Sequence, residues 1–213
     1  MNLSVIIPCS MEHRRYLSDC MNSVQFQNIQ GLEYEIGIFT DTERKGTPAM
    51  LNEGIKAAKG EYITIVHADD MIEPWHLEML MTFAAPDRFV YGDLRIYSQG
   101  HKGATLRMAA WDYEKAKKKN LAHAAILFPR KAWVKSGGYP ETMTDGREDW
   151  AFTLRLAAHG YQGVYVEGPA SYLYRKEGQG RSDENHTPAA KVRLFEQLKA
   201  ALPEVYGASS ISS

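Results

Sequence analysis

The sequence predicts an α/β fold with a Rossmann-like, mostly parallel central sheet and helices on both faces. Two patterns point to it. Short apolar runs, "LSVIIP" (3–8), "YEIGIFT" (34–40) and "EYITIV" (61–66), each give way to polar residues and read as buried strands. Between them lie stretches with apolar residues at helical spacing, and strands that alternate with helices build parallel sheets covered on both sides. A third observation sets the scale. With 213 residues, 44% of them hydrophobic, the chain suits one moderately large domain with a real core.

The elements follow in order. Leu17, Cys20, Met21 and Val24 recur at helical spacing within residues 16–27. After the second strand, residues 47–60 read as a helix with Pro48 near its start and Gly60 as its C-cap. A helix with proline in its first turn is expected over 73–85, and a strand or strand pair over 88–97. The lysine-rich 113–120 reads as a solvated helix or loop, and 124–129 as another strand. "REDWAFTLRLAAHG" (147–160) is a helix, acidic at its start and closed by Gly160. Strand-like pieces at 161–168 and 170–175 precede the Gly-rich loop "KEGQGRSDEN" and a last amphipathic helix, Pro188 to Ala201. Residues 1–203 are expected to form the single domain, with 204–213 a disordered, Ser-rich tail.

A formal net charge of -1 gives no global attraction to nucleic acid or anionic membrane. Such a partner would need a local patch, for which Lys115 and Lys117 to Lys119 are the candidate; an exposed, solvated face is the favoured reading. Cys9 and Cys20 are too few for a disulfide framework and have no metal-ligand spacing, which favours a reducing, cytoplasmic setting. No leader peptide or membrane-spanning run is read, and peripheral membrane contact stays open.

In open α/β sheets, ligands bind beyond the carboxyl ends of the strands. Pro8–Ser10, Thr40–Asp41 and His67–Asp70 each follow a predicted strand and should share one rim. Asp69 and Asp70 there read equally as ligands of Mn²⁺ or Mg²⁺ with a bound diphosphate, or as caps of the following helix. Glu148 and Asp149 occupy a helix first turn, where the dipole alone accounts for acids. The functional reading makes Asp149 a general base toward a hydroxyl. Trp150 beside it, Tyr139 after "GG" and His123 before "AAILF" are candidates to line an acceptor or donor pocket.

"VIIPCS", "AAKGEYITIVHADDMIEP", "LFPRKAWVKSGGYPE", "EDWAFTLRLAAHGY" and "YLYRKEGQGRS" occur in the order seen in family-two inverting glycosyltransferases of the GT-A fold, and the chain resembles a compact variant of that family over about residues 3 to 182. The resemblance implies a metal-dependent enzyme that moves a sugar from a nucleotide-diphosphate sugar, a UDP-sugar foremost, to an acceptor hydroxyl on a glycan, lipid, protein or modified nucleobase. By that resemblance Asp70 ligates the cation, Asp69 touches ribose or metal, Asp149 is the catalytic base and Glu148 its acidic neighbour. Pro8, Cys9, Ser10 and Asp41 fall where the family holds the nucleoside. Arg175, Glu177 and above all Arg181 match a loop that closes over the diphosphate. The chain departs from the family at His67, where relatives have an acid, at "PCSM", and in a shortened region after Asp41. The rival readings are a nucleotidyltransferase of the same architecture and a degenerate carbohydrate- or nucleic-acid-binding module. The first lacks its Gly-rich loop after the first strand.

Overall fold

The structure, a computed structural model, describes residues 2–177 and 187–207. The first strand, β1 (Leu3–Cys9), is buried along its whole length because it lies between two parallel neighbours, β2 (Tyr34–Thr40) and β3 (Tyr62–Ile65). Beyond β3 come β8 (Leu127–Pro129), β5 (Arg88–Tyr91) and β9 (Gln162–Tyr165), so the sheet runs β2-β1-β3-β8-β5-β9. Its members are parallel except β8, which runs against both of its neighbours. The mostly parallel sheet that the sequence predicts is present.

Side chains of a strand alternate between faces, and here they feed two cores. Leu3, Val5, Ile7 and Cys9 pack with Cys20 and Val24 of α1 (Leu17–Gln25) and with Leu77 and Leu80 of α3 (His76–Thr82). Ile6 joins Leu51 and Ile55 of α2 (Thr47–Ala57), Ala132 of α5 (Arg130–Ser136), and Phe152 and Leu156 of α6 (Glu148–Ala158) on the other face. A third cluster joins Trp150, Ala151 and Leu154 of α6 to Ala116 of α4 (Tyr113–Ala116) and Leu198 of α7 (Pro188–Ala201).

Several expectations need correction. Gly60 is not a C-cap: α2 ends at Ala57 with Ala58 extended, and a Cβ on Gly60 would lie 2.5 Å from the Ser4 backbone nitrogen. Only glycine allows that approach. The strand pair allowed over 88–97 is present, but its two members lie in different sheets, because β6 (Leu94–Ser98) leaves the central sheet. It joins β4 (Met71–Ile72), β10 (Tyr172–Arg175) and β7 (His101–Leu106) in a second sheet ordered β4-β10-β6-β7. The helix α5, set between Pro129 and the left-handed Gly137, was not foreseen. The tail boundary at 203 falls within folded chain, since α8 (Pro203–Tyr206) follows it and the Tyr206 hydroxyl donates to the Lys117 carbonyl at 2.7 Å. Arg181, most of the Gly-rich loop and residues 208–213 lie outside the described residues. No helix among the described residues is long and apolar enough to cross a membrane.

Candidate active site

The parallel strands β1, β2 and β3 end on one rim, and backbone hydrogen bonds knit their exits together. Ala68 N donates to the Pro8 carbonyl at 3.2 Å, and Asp41 N to the Cys9 carbonyl at 3.4 Å. The rim continues past β3. Thr64 pairs with Leu127 and Ile63 with Phe128, and ahead of that pairing the His123 ring lies 5.2 Å from that of Tyr172, whose hydroxyl accepts from His67 N. Asn120 stands three residues before His123, and its side-chain amide donates to Asp149 Oδ2 at 3.1 Å. The exits of the three strands thus adjoin the segment before β8, to which Asn120 ties the first turn of α6.

The two adjacent acids have different surroundings. Asp70 is buried, accepting from the Tyr172 hydroxyl at 2.6 Å and from the Arg175 backbone N–H at 2.8 Å, one on each oxygen. Burial, with Asp69 alongside, raises its carboxyl well above the usual range. Asp69 is partly exposed, and its Oδ2 lies 3.5 Å from His13 Nδ1. Asp70 is thus tied into the scaffold, and the carboxylate with more solvent access is Asp69. A divalent cation that takes one or two carboxylates together with substrate phosphates and water fits such a site. Among the described residues no three His, Cys, Asp or Glu side chains form a ready cage.

Arg175 is likewise not the free phosphate ligand that its place in the sequence suggests. Its guanidinium is sandwiched between the rings of Tyr16 and Tyr97, 4.4 and 5.2 Å away. It donates to the Asp69 carbonyl at 2.7 Å, to Asp19 at 2.9 Å and to Glu177 at 3.2 Å. Glu177 in turn accepts from the Tyr16 hydroxyl at 2.9 Å. Both residues belong to a clamp around the acidic turn.

The nucleoside candidates divide. Pro8 and Cys9 reach the rim only through their backbones, since Cys9 is a buried free thiol within the core. The Asp41 carboxylate is engaged by its own loop, accepting from Lys45 N at 2.7 Å and Gly46 N at 2.8 Å. Ser10 differs: its hydroxyl is buried and has no hydrogen-bond partner among the described residues. An orphan buried hydroxyl is costly unless something supplies the missing bond, which makes Ser10 the rim's clearest invitation to a polar ligand.

At α6, Asp149 and Glu148 are partly exposed in the first turn, beyond Arg147, which holds a left-handed φ of 67°. Such a conformation is uncommon for a residue with a side chain and fixes where the helix begins. Trp150 turns inward, donating through Nε1 to the Ala116 carbonyl at 2.6 Å and stacking on Phe195. It is core, not a sugar platform. Tyr139 is also buried, stacked on Phe152 with ring centroids 4.0 Å apart, and lines no open surface. His123 is held between neighbours: Nε2 is 3.1 Å from the Gly92 carbonyl, Nδ1 accepts from Ala125 N, and its ring lies 5.2 Å from that of Tyr172. Burial lowers its pKa to about 4, so it stays neutral near pH 7.

Residues 38–134 match the sequence profile of Glycosyl transferase family 2. No curated protein matches the chain in sequence. Among solved structures, S. aureus TarS residues 1–349 in complex with UDP-GlcNAc is similar at 17% identity and a TM-score of 0.72, over 95% of this chain and 67% of that one. The same fragment in complex with UDP gives 15%, 0.70, 95% and 66%. The longer S. aureus TarS chain gives 16% and 0.65, over 99% of this chain and 44% of that one. At such identities the likeness is one of fold, and the chain spans about two thirds of the length of the TarS fragments. The GT-A fold implied by the motifs is thereby borne out, and the family 2 profile matches the middle of the chain.

Proposed function

We propose that the domain transfers a sugar from a nucleotide-diphosphate sugar to an acceptor hydroxyl, with inversion and with help from Mn²⁺ or Mg²⁺. The observation that carries this reading is the shared rim. In its support, the outward Asp69 follows β3, the buried Ser10 hydroxyl follows β1, and Asn120, in the segment before β8, holds Asp149. The UDP and UDP-GlcNAc complexes of TarS favour UDP as the nucleotide.

In this mechanism Asp149 accepts the acceptor's proton as its oxygen forms the new bond to the anomeric carbon. The bond from that carbon to the diphosphate breaks, and the nucleoside diphosphate leaves with the electron pair. Asn120 fixes the orientation of Asp149 by holding one oxygen, leaving the other for the hydroxyl. Asp69 would hold the cation, with Asp70 and Arg175 fixing the turn that presents it. When bound, the cation offsets charge on the leaving diphosphate.

A panel of nucleotide sugars scored by thermal unfolding tests this directly. UDP-sugars are expected to raise the unfolding temperature in Mn²⁺ and to lose the effect in chelator, because a ligand stabilises the state that binds it. Equal shifts in chelator would remove the cation from the scheme, and no shift from any nucleotide sugar would remove the donor.

A further inference from the structure

We propose that His13 is a second protein ligand, beside Asp69, for the cation of this site, and that its imidazole makes the site prefer Mn²⁺ to Mg²⁺. The inference rests on the reading above that the rim binds a diphosphate with a divalent cation. Ligand atoms about 2.1 Å from one ion, and adjacent in its shell, stand about 3.0–3.5 Å apart. His13 Nδ1 and Asp69 Oδ2 are 3.5 Å apart, with side chains 43% and 23% exposed, so both are open to an ion from solvent. Asp70 is buried, and each of its oxygens already accepts one bond, from Tyr172 and from Arg175 N. The nitrogen of His13 is the other donor at hand.

The pair is also held in place from both sides by one residue. His13 N donates to the Ser10 carbonyl at 3.1 Å, and Tyr16 N to the His13 carbonyl at 2.9 Å, which closes the turn after β1. The Tyr16 ring lies against the Arg175 guanidinium, and that guanidinium bonds the Asp69 carbonyl. Arg175, its side chain 7% exposed, therefore ties the turn that carries His13 to the turn that carries Asp69. Mg²⁺ takes oxygen donors and keeps its waters, whereas an imidazole nitrogen suits the softer transition ions. A nitrogen in the shell should therefore shift the balance toward Mn²⁺.

The test is Mn²⁺ titration of the full chain in the presence of UDP, followed by electron paramagnetic resonance, with Mg²⁺ affinity read by competition. His13→Ala and His13→Gln are expected to weaken Mn²⁺ binding by about tenfold or more while changing Mg²⁺ by less than about threefold. If His13→Ala bound Mn²⁺ as well as the parent while Asp69→Ala did not, His13 would be a surface ion pair and the proposal would be overturned alone. If the parent chain held Mn²⁺ no better than free UDP does, the cation reading itself would fall and take the proposal with it.

Discussion

Asp149→Asn is expected to lower sugar transfer by about 10²–10⁴-fold, the usual contribution of a positioned general base. The substitution keeps size and shape, so the first turn of α6 and the Trp150 anchor beneath it should persist. What changes is the atom facing the acceptor, since an amide cannot take the proton. Binding of the nucleoside diphosphate should be preserved because the nucleotide candidates sit at the exits of β1 and β3, not on α6. The checking measurement is a steady-state comparison at saturating donor, with UDP affinity measured alongside. Transfer at the parental rate would remove Asp149 from the mechanism.

The adjacent acids should separate under substitution. Asp70→Ala leaves the Tyr172 hydroxyl and the Arg175 N–H facing a gap inside the protein, and unpaired buried donors cost about 1–3 kcal/mol each. Part of that loss is offset, because the buried carboxylate is itself disfavoured beside Asp69. A net destabilisation of about 2 kcal/mol is the expected outcome. Asp69→Ala removes an outward carboxylate whose loss should change stability by less than about 0.5 kcal/mol. It should instead weaken cation-dependent UDP binding by more than about tenfold. Denaturant unfolding and calorimetry on the two variants together decide the matter. The reverse pattern would restore Asp70 as the ligand.

The sequence carried the rim but not the roles along it. Apolar runs that end in polar residues marked β1, β2 and β3, and parallel topology then required their exits to share an edge, as they do. Which of two neighbouring acids faces outward is decided elsewhere. Tyr172 and Arg175 lie more than a hundred residues from Asp70, and no local pattern reports that they will bond it. The second sheet escaped notice for the same reason: β6 and β10 pair across a long separation. Asp41 stands where the resemblance places a nucleobase contact, yet the shortened loop after it folds back onto its carboxylate. Asn120 and His13 had no motif to announce them. Trp150 and Tyr139 drew attention by position beside functional residues, but their apolar bulk belongs to the core.

Inverting transfer at this rim is tested by the anomer formed from the donor. With water as acceptor and Mn²⁺ present, the sugar first released from an α-linked UDP-sugar can be followed by proton nuclear magnetic resonance before it re-equilibrates. The β-anomer, formed in the parent protein and lost in Asp149→Asn, is the predicted result. First release of the α-anomer would contradict it.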